Sequence, residues 1–242
     1  MKKFLILICT ILIAGLLQAQ GSGDEILRAA DLYRNSWESF IVLTRIKNFK
    51  NDKLEDSSDF EVMIKGSGKS LVRFLNSEQK GQYLLMVDDL MWLYMPNTRR
   101  PIRVTPLQRL AGNASNGDVA RTNFSRDYQA TILGEEQVAD QACYKLLLTA
   151  KTSSATYPRA EYWVTKAESK PVKAELYLAS GKLCKSVSYD EYELVHGKRL
   201  LRKMTLIDRL RNNSHTIMEY LEYEPKELPD KYFNKNYLTQ LK

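Results

Sequence analysis

Three arginines, Arg99, Arg100 and Arg103, follow the apolar stretch Met91-Trp92-Leu93-Tyr94-Met95-Pro96, and no other residues are better suited by type and spacing to chemistry. A guanidinium presents a fork of N–H donors to carboxylate or phosphate. The three can therefore form a rim for an anionic head group, or they can solvate a strand end or pair with Asp118 and Asp127. Lys65-Gly66-Ser67-Gly68-Lys69-Ser70 looks like the end of a phosphate-binding loop. That motif needs a glycine where Met63 stands and a helix after Lys69, where the pattern here is strand. His196 and His215, the two histidines, lie in or beside hairpin turns. No Gly-x-Ser-x-Gly elbow occurs, and no His/Cys/carboxylate spacing fits zinc. In Asp88-Asp89 and Glu135-Glu136 the carboxylates are adjacent, so on a strand they point to opposite faces. No nucleophile, base and orienting group come together. The chain reads as a binding module with no catalytic residue, no metal and no cofactor, not as an enzyme.

The elements that must position these residues are mostly strands. Asp24 to Asn35 reads as a helix, with Ile26, Leu27, Ala30 and Tyr33 at helical spacing and acids at its positive end. After it, segments rich in aromatic and β-branched residues alternate with Gly/Ser/Asn/Asp turns. Asp59 to Lys65 places Phe60, Val62 and Ile64 on one face, and Val172 to Leu178 places Val172, Ala174, Leu176 and Leu178 inward. Such alternation marks an antiparallel sheet with one buried face. About ten or eleven strands at this spacing, with no alternating helices, predict a large meandering sheet that must curl. Thr105 to Gly112 reads as a short helix, with Thr105 as cap, Pro106 in its first turn and Leu107 and Leu110 on one side. Gly112 to Gly117 has the composition of a weakly packed, mobile loop. Phe124 is the large apolar residue between that loop and Tyr128.

Met1 to Ala19 has the layout of a cleavable secretory signal: Lys2 and Lys3, an apolar run, and a small residue at the cut. The run is shorter than the ~20 residues a spanning helix needs. Cleavage leaves a single domain, residues 20–242, large enough for one sizeable core. The net charge is +7, and losing Lys2 and Lys3 with the signal leaves a mild excess scattered among acids. A basic balance can favour anionic lipid head groups or nucleic acid, but export makes nucleic acid a poor candidate. Cys9 leaves with the signal. Cys143 and Cys184 can then pair as a disulfide or stand as small buried hydrophobes.

Leu93-Tyr94-Met95-Pro96, then Arg99-Arg100, then Gly117-Asp118, Thr122-Asn123-Phe124-Ser125 and Asp127-Tyr128, resembles the LolA-like family of periplasmic lipoprotein carriers. The likeness is specific from Tyr83 to Glu136. It implies a mainly β fold, an unclosed barrel with an N-terminal helix and short lid helices over its concave face. It implies a periplasmic carrier or chaperone that holds lipoprotein acyl chains or another lipid-like amphiphile. Such a carrier would move its cargo toward the outer membrane, or to or from an inner-membrane export system of the ABC or RND type, with transient membrane contact. The expected cavity wall comprises Phe60, Val62, Ile64, Trp92, Tyr94, Leu107, Leu110 and Phe124, with Arg99, Arg100 and Arg103 at the head-group rim. The best-characterised carriers use a cavity arginine to set the closed state, and no arginine here aligns with it. The alternative is an RseB-like sensor or adaptor that binds a periplasmic domain of a membrane protein. Regulators of that kind carry a second C-terminal domain, where this chain has the short Glu227 to Lys242 tail.

Overall fold

The computed structural model of the chain describes residues 21–98, 100–211 and 213–241. The signal-peptide reading and the placement of Arg99 lie outside the described residues. The first element is a helix, α1 (Gly23–Asp31). Ser22 caps it: its hydroxyl accepts from the Glu25 N–H while the Glu25 carboxylate accepts from the Ser22 N–H. This reciprocal pairing satisfies two of the donors that a helix start leaves open.

Six strands follow: β1 (Ser39–Lys50), β2 (Lys53–Lys65), β3 (Lys69–Phe74), β4 (Tyr83–Val87), β5 (Leu90–Tyr94) and β6 (Ile102–Val104). A small hairpin of β7 (Arg109–Ala111) and β8 (Ala114–Ser115) leads into two short helices, α2 (Asn116–Ala120) and α3 (Phe124–Asp127). The chain then returns to strand as β9 (Tyr128–Val138), β10 (Gln141–Ala150), β11 (Arg159–Thr165), β12 (Pro171–Tyr177), β13 (Leu183–Val195), β14 (Lys198–Asp208) and β15 (Ser214–Pro225). Two 3-10 helices, Asp230–Phe233 and Lys235–Gln240, close the C-terminal segment.

Thirteen strands form one antiparallel sheet in the order β6-β5-β4-β3-β2-β1-β15-β14-β13-β12-β11-β10-β9, and β7 and β8 pair only with each other. The sheet is an unclosed barrel, mainly β, because its edge strands β6 and β9 do not meet. Alternation builds its concave face. Along β1, Phe40, Val42, Thr44, Ile46 and Asn48 are buried, and each intervening residue is partly exposed. Phe60, Val62 and Ile64 of β2 lie opposite Thr44, Val42 and Phe40. These side chains belong to one apolar core that continues through Leu146, Leu148, Ala174, Leu176, Met204 and Met218. Val172 is an exception to its strand's alternation. The register slips between Trp163 and Val164, and Val172 packs with Cys143 and Trp163 in a separate cluster.

Helix α1 shields the β9 edge. The Asp24 carboxylate accepts from the Ala130 N–H at 2.7 Å, and Gly23 lies so close that a Cβ there would stand 2.4 Å from the Ala130 carbonyl oxygen. Only glycine allows that approach.

The sequence reading needs correction at two further elements. Arg109–Ala111 is a strand, not the end of a helix, because Gly112 adopts φ +52° and turns the chain back so that Arg109 faces Ser115. Gly112 to Gly117 is not loosely packed: Gly112, Asn113, Ser115 and Asn116 are buried, and the Asn113 N–H donates to Thr216 Oγ1 at 2.8 Å.

Candidate functional site

Residues 105–127 cross the open side of the sheet as a lid. None of its strands joins the main sheet, so what holds it down is side-chain chemistry. Asp118 of α2 is the most connected residue. Its carboxylate pairs with Lys185 of β13, accepts from the Tyr157 hydroxyl at 2.9 Å and accepts from the Ser115 N–H at 2.8 Å to close a capping box. Burial raises the Asp118 carboxyl, but the Lys185 ammonium and the Ser115 hydrogen bonds outweigh it and hold the group below the usual carboxylate value.

Arg34 follows α1 and reaches the same helix from inside. Its Nη2 donates to the Asp118 carbonyl and to the Tyr220 hydroxyl, each at 3.2 Å. Nearer the other end of the lid, Ser70 Oγ donates to the Ala120 carbonyl at 2.9 Å. Arg121 then grips the Asp127 carboxylate through Nε and Nη2 and donates to the Asp88 carbonyl. Asp31 caps α3 by accepting the N–H groups of Phe124 and Ser125 at 2.9 and 2.7 Å. Burial pushes the Asp31 carboxyl up to about 6 against the lowering pull of those hydrogen bonds.

The space under the lid is filled. Two cavities of about 20 and 10 Å³ remain, each room for about one water. The first is bordered by Arg34, Phe124, Tyr128, Tyr189 and Met204, the second by Val42, Thr44, Val62, Ile64 and Tyr220. Outside, a groove of about 350 Å³ runs along the seam between the lid hairpin and the barrel wall. Leu107, Leu178 and Leu210 give it apolar walls, and Arg109, Lys185 and Arg211 lie at its margins. The lid is closed, and the seam is its accessible side.

The residues singled out from sequence divide between the two faces of the sheet. Phe60, Val62 and Ile64 are buried on the concave face. Phe124 is half-buried there, edge-on to Tyr128 and Tyr162 with ring centroids 5.5 and 5.6 Å away. Leu110 packs against the same core, whereas Leu107 is exposed at the seam. Trp92 and Tyr94 do not line the interior. They pack on the convex face with Leu71, Tyr83 and Leu85, under the C-terminal Leu228, Phe233 and Leu238. The strand's other residues, Met91 and Leu93, point inward.

Arg103 faces Trp92 across the β5–β6 pair and lies over its ring at 5.2 Å, so it belongs to the convex face and is not a rim of the cavity. Arg100 is exposed. Cys143 and Cys184 are buried and free, and no disulfide joins them. Cys143 packs beside Trp163, and Cys184 lies within the concave core. The sequence reading missed Arg34, Asp31, Lys185 and the Arg121–Asp127 pair. Only Asp118 carried a usable signal, the Ser115-x-x-Asp118 spacing of a capping box.

An unclosed antiparallel barrel, one apolar concave face and a lid latched by buried polar contacts define a lidded half-barrel fold. The comparisons agree. A family model described only as "Uncharacterized protein" matches residues 66–240. A LolA superfamily protein from Nitrosomonas europaea is 33% identical, with a TM-score of 0.84, over 90% of this chain and 99% of its own. The chain belongs to the LolA superfamily. The same fold is seen in a DUF1329 family protein from Desulfovibrio piger (22% identity, TM-score 0.77, 89% and 97% of the two chains). It is seen again in a domain assigned to outer-membrane lipoprotein sorting from Vibrio parahaemolyticus (21%, 0.75, 90% and 98%). Among curated proteins, none matches the sequence.

Proposed function

We propose that the chain is a periplasmic carrier that takes up the acyl chains of a lipoprotein, or of another lipid-like amphiphile, between the concave sheet and the lid and delivers them toward the outer membrane. The observation that carries this reading is that the lid covers a continuous apolar face without pairing to the sheet. It can lift without breaking a strand ladder. Each methylene buried against that face contributes about 0.8 kcal/mol, so an acyl chain can offset the loss of the latch contacts. The closed interior has no room for a chain, so uptake and lid opening are one event. The seam with Leu107, Leu178 and Leu210 is where a chain meets apolar surface first, and a membrane or an export component would present the cargo there.

Among the described residues no helix is long and apolar enough to cross a membrane, and no cluster of three or more His, Cys, Asp or Glu is placed to hold a metal. The reading needs neither. It is tested by thermal unfolding of delipidated protein with a fluorescent acyl probe. Probe at 100 times its dissociation constant should stabilise the protein by about 2.7 kcal/mol, with saturable fluorescence. An unchanged transition with no saturable signal counts against uptake.

A further inference from the structure

We propose that Arg34 and Thr44 form an oxyanion site beneath the lid, so that the favoured cargo is an amphiphile whose carboxylate or phosphate is drawn in with its acyl chain. This deepens the carrier reading and rests on it.

Besides Arg73 Nε, two buried polar atoms among the described residues, Arg34 Nε and Thr44 Oγ1, have no hydrogen-bond partner. Both residues border the same 10 Å³ cavity, whose other walls include Val42, Val62 and Ile64. Thr44 is fully buried and Arg34 is 8% exposed. A buried donor left unpaired is costly, and native interiors rarely hold two around one space.

The guanidinium indicates the kind of ligand. Its Nε–H and one Nη2–H project from the same edge, the fork that grips two oxygens of a carboxylate or phosphate. Arg45 uses this edge on Asp59, with Nε to Oδ1 and Nη2 to Oδ2 both at 2.8 Å. In Arg34 the Nε half of the edge has no partner, and Nη2 is held by the Asp118 carbonyl of the lid and by Tyr220. The nearby buried carboxylates are committed elsewhere: Asp31 to the α3 amides, Asp127 to Arg121 and Asp118 to Lys185 and Tyr157.

An oxyanion that takes the whole Arg34 edge needs an Nη2–H that is now given to the Asp118 carbonyl or to the Tyr220 hydroxyl. Head-group binding and lid closure therefore draw on one guanidinium, and Thr44 borders the same cavity. By linkage, whatever loosens the lid tightens binding of an oxyanion amphiphile by the same factor.

The experiment compares hexadecanoate, hexadecyl phosphate and hexadecanol as competitors of a fluorescent acyl probe on delipidated protein at neutral pH. Wild type is expected to favour at least one of the two anions over the alcohol by about tenfold or more, the scale of a charge-assisted hydrogen bond. A preference for hexadecanoate alone assigns the site to fatty-acid carboxylates, and a preference for the phosphate assigns it to phospholipid-type heads. Arg34→Met and Arg34→Lys should lose the preference, the second because it keeps the charge and loses the fork. Thr44→Val, which leaves every lid contact in place, should reduce it several-fold. If all three amphiphiles bind alike in wild type, or if Arg34→Met keeps the preference, the oxyanion site is overturned and the carrier reading stands. If none of them binds, both fall together.

Discussion

Replacing Arg121 with methionine is expected to cost about 3–5 kcal/mol of folding stability, the usual penalty for stranding one member of a buried ion pair. The side chains of Arg121 and Asp127 are 2% and 8% exposed, so once the guanidinium is gone the carboxylate has neither water nor a countercharge. Arg121 also donates to the Asp88 carbonyl at 3.2 Å, so its loss detaches the end of α2 from the β4–β5 turn. The same physics says that most of this cost arises from the orphaned charge and little from lost attraction. The double variant Arg121→Met/Asp127→Leu should therefore recover much of the loss, because it buries two apolar groups and leaves no charge behind. Urea unfolding of the wild type, both single variants and the double variant gives the coupling directly. A double variant as unstable as the sum of the two singles would show that the pair does not couple.

The second large effect lies at the latch. Asp118→Asn removes the charge that holds Lys185, whose side chain is 12% exposed. It also weakens the Tyr157 and Ser115 contacts. Lid closure should lose about 1.5–3 kcal/mol, the scale of hydrogen bonds to a charged group, and lid amides in α2 should exchange with solvent on the order of ten to a hundred times faster. Amides of β1, β14 and β15 should keep their protection, and the acyl probe should enter faster.

The pH dependence has a definite sign. The carboxyl is held below its ordinary 3.8 in the closed protein, so the charged latch contributes fully above that value. Its contribution is lost as pH falls through the lowered closed-state value. Wild-type protection of α2 should thus fail only in acid, a step that Asp118→Asn should lack, while the Asp31 carboxyl, pushed up to about 6 beneath α3, titrates separately. Exchange in α2 that is unchanged by the substitution would remove Asp118 from the latch.

The two predictions concern pairings that sequence reading did not find, since it weighed Asp118 and Asp127 only as partners of Arg99, Arg100 and Arg103, and the reason is physical. Period-two alternation reports which side chains share a face. It exposed the buried row Phe60, Val62 and Ile64, and with it the curved antiparallel sheet, because that face is apolar along nearly its whole length. Alternation does not say which of two apolar faces is the concave one. Along β5 it separates Trp92 and Tyr94 from Leu93, and the larger aromatic pair turned out to serve the convex side, where the C-terminal segment covers it.

Bulges defeat alternation locally, as at Val172. The latch was hidden for a different reason. Arg34 meets Asp118 across 84 positions, and Lys185 meets it across 67, and no local spacing records such pairs. A conspicuous arginine cluster at 99–103 drew attention that belonged to a solitary arginine after α1. The family likeness supplied the lid itself, and the hairpin turn at Gly112 then altered its form from helix to strand pair.

Native mass spectrometry of the protein, purified from cells without detergent exchange, tests the carrier account most directly. The account predicts a population shifted by the mass of one amphiphile, lost on delipidation, regained on incubation with lipid, and retained less well when Asp118 is replaced by Asn. A single unliganded mass from cells, unchanged after incubation with lipid, would contradict it.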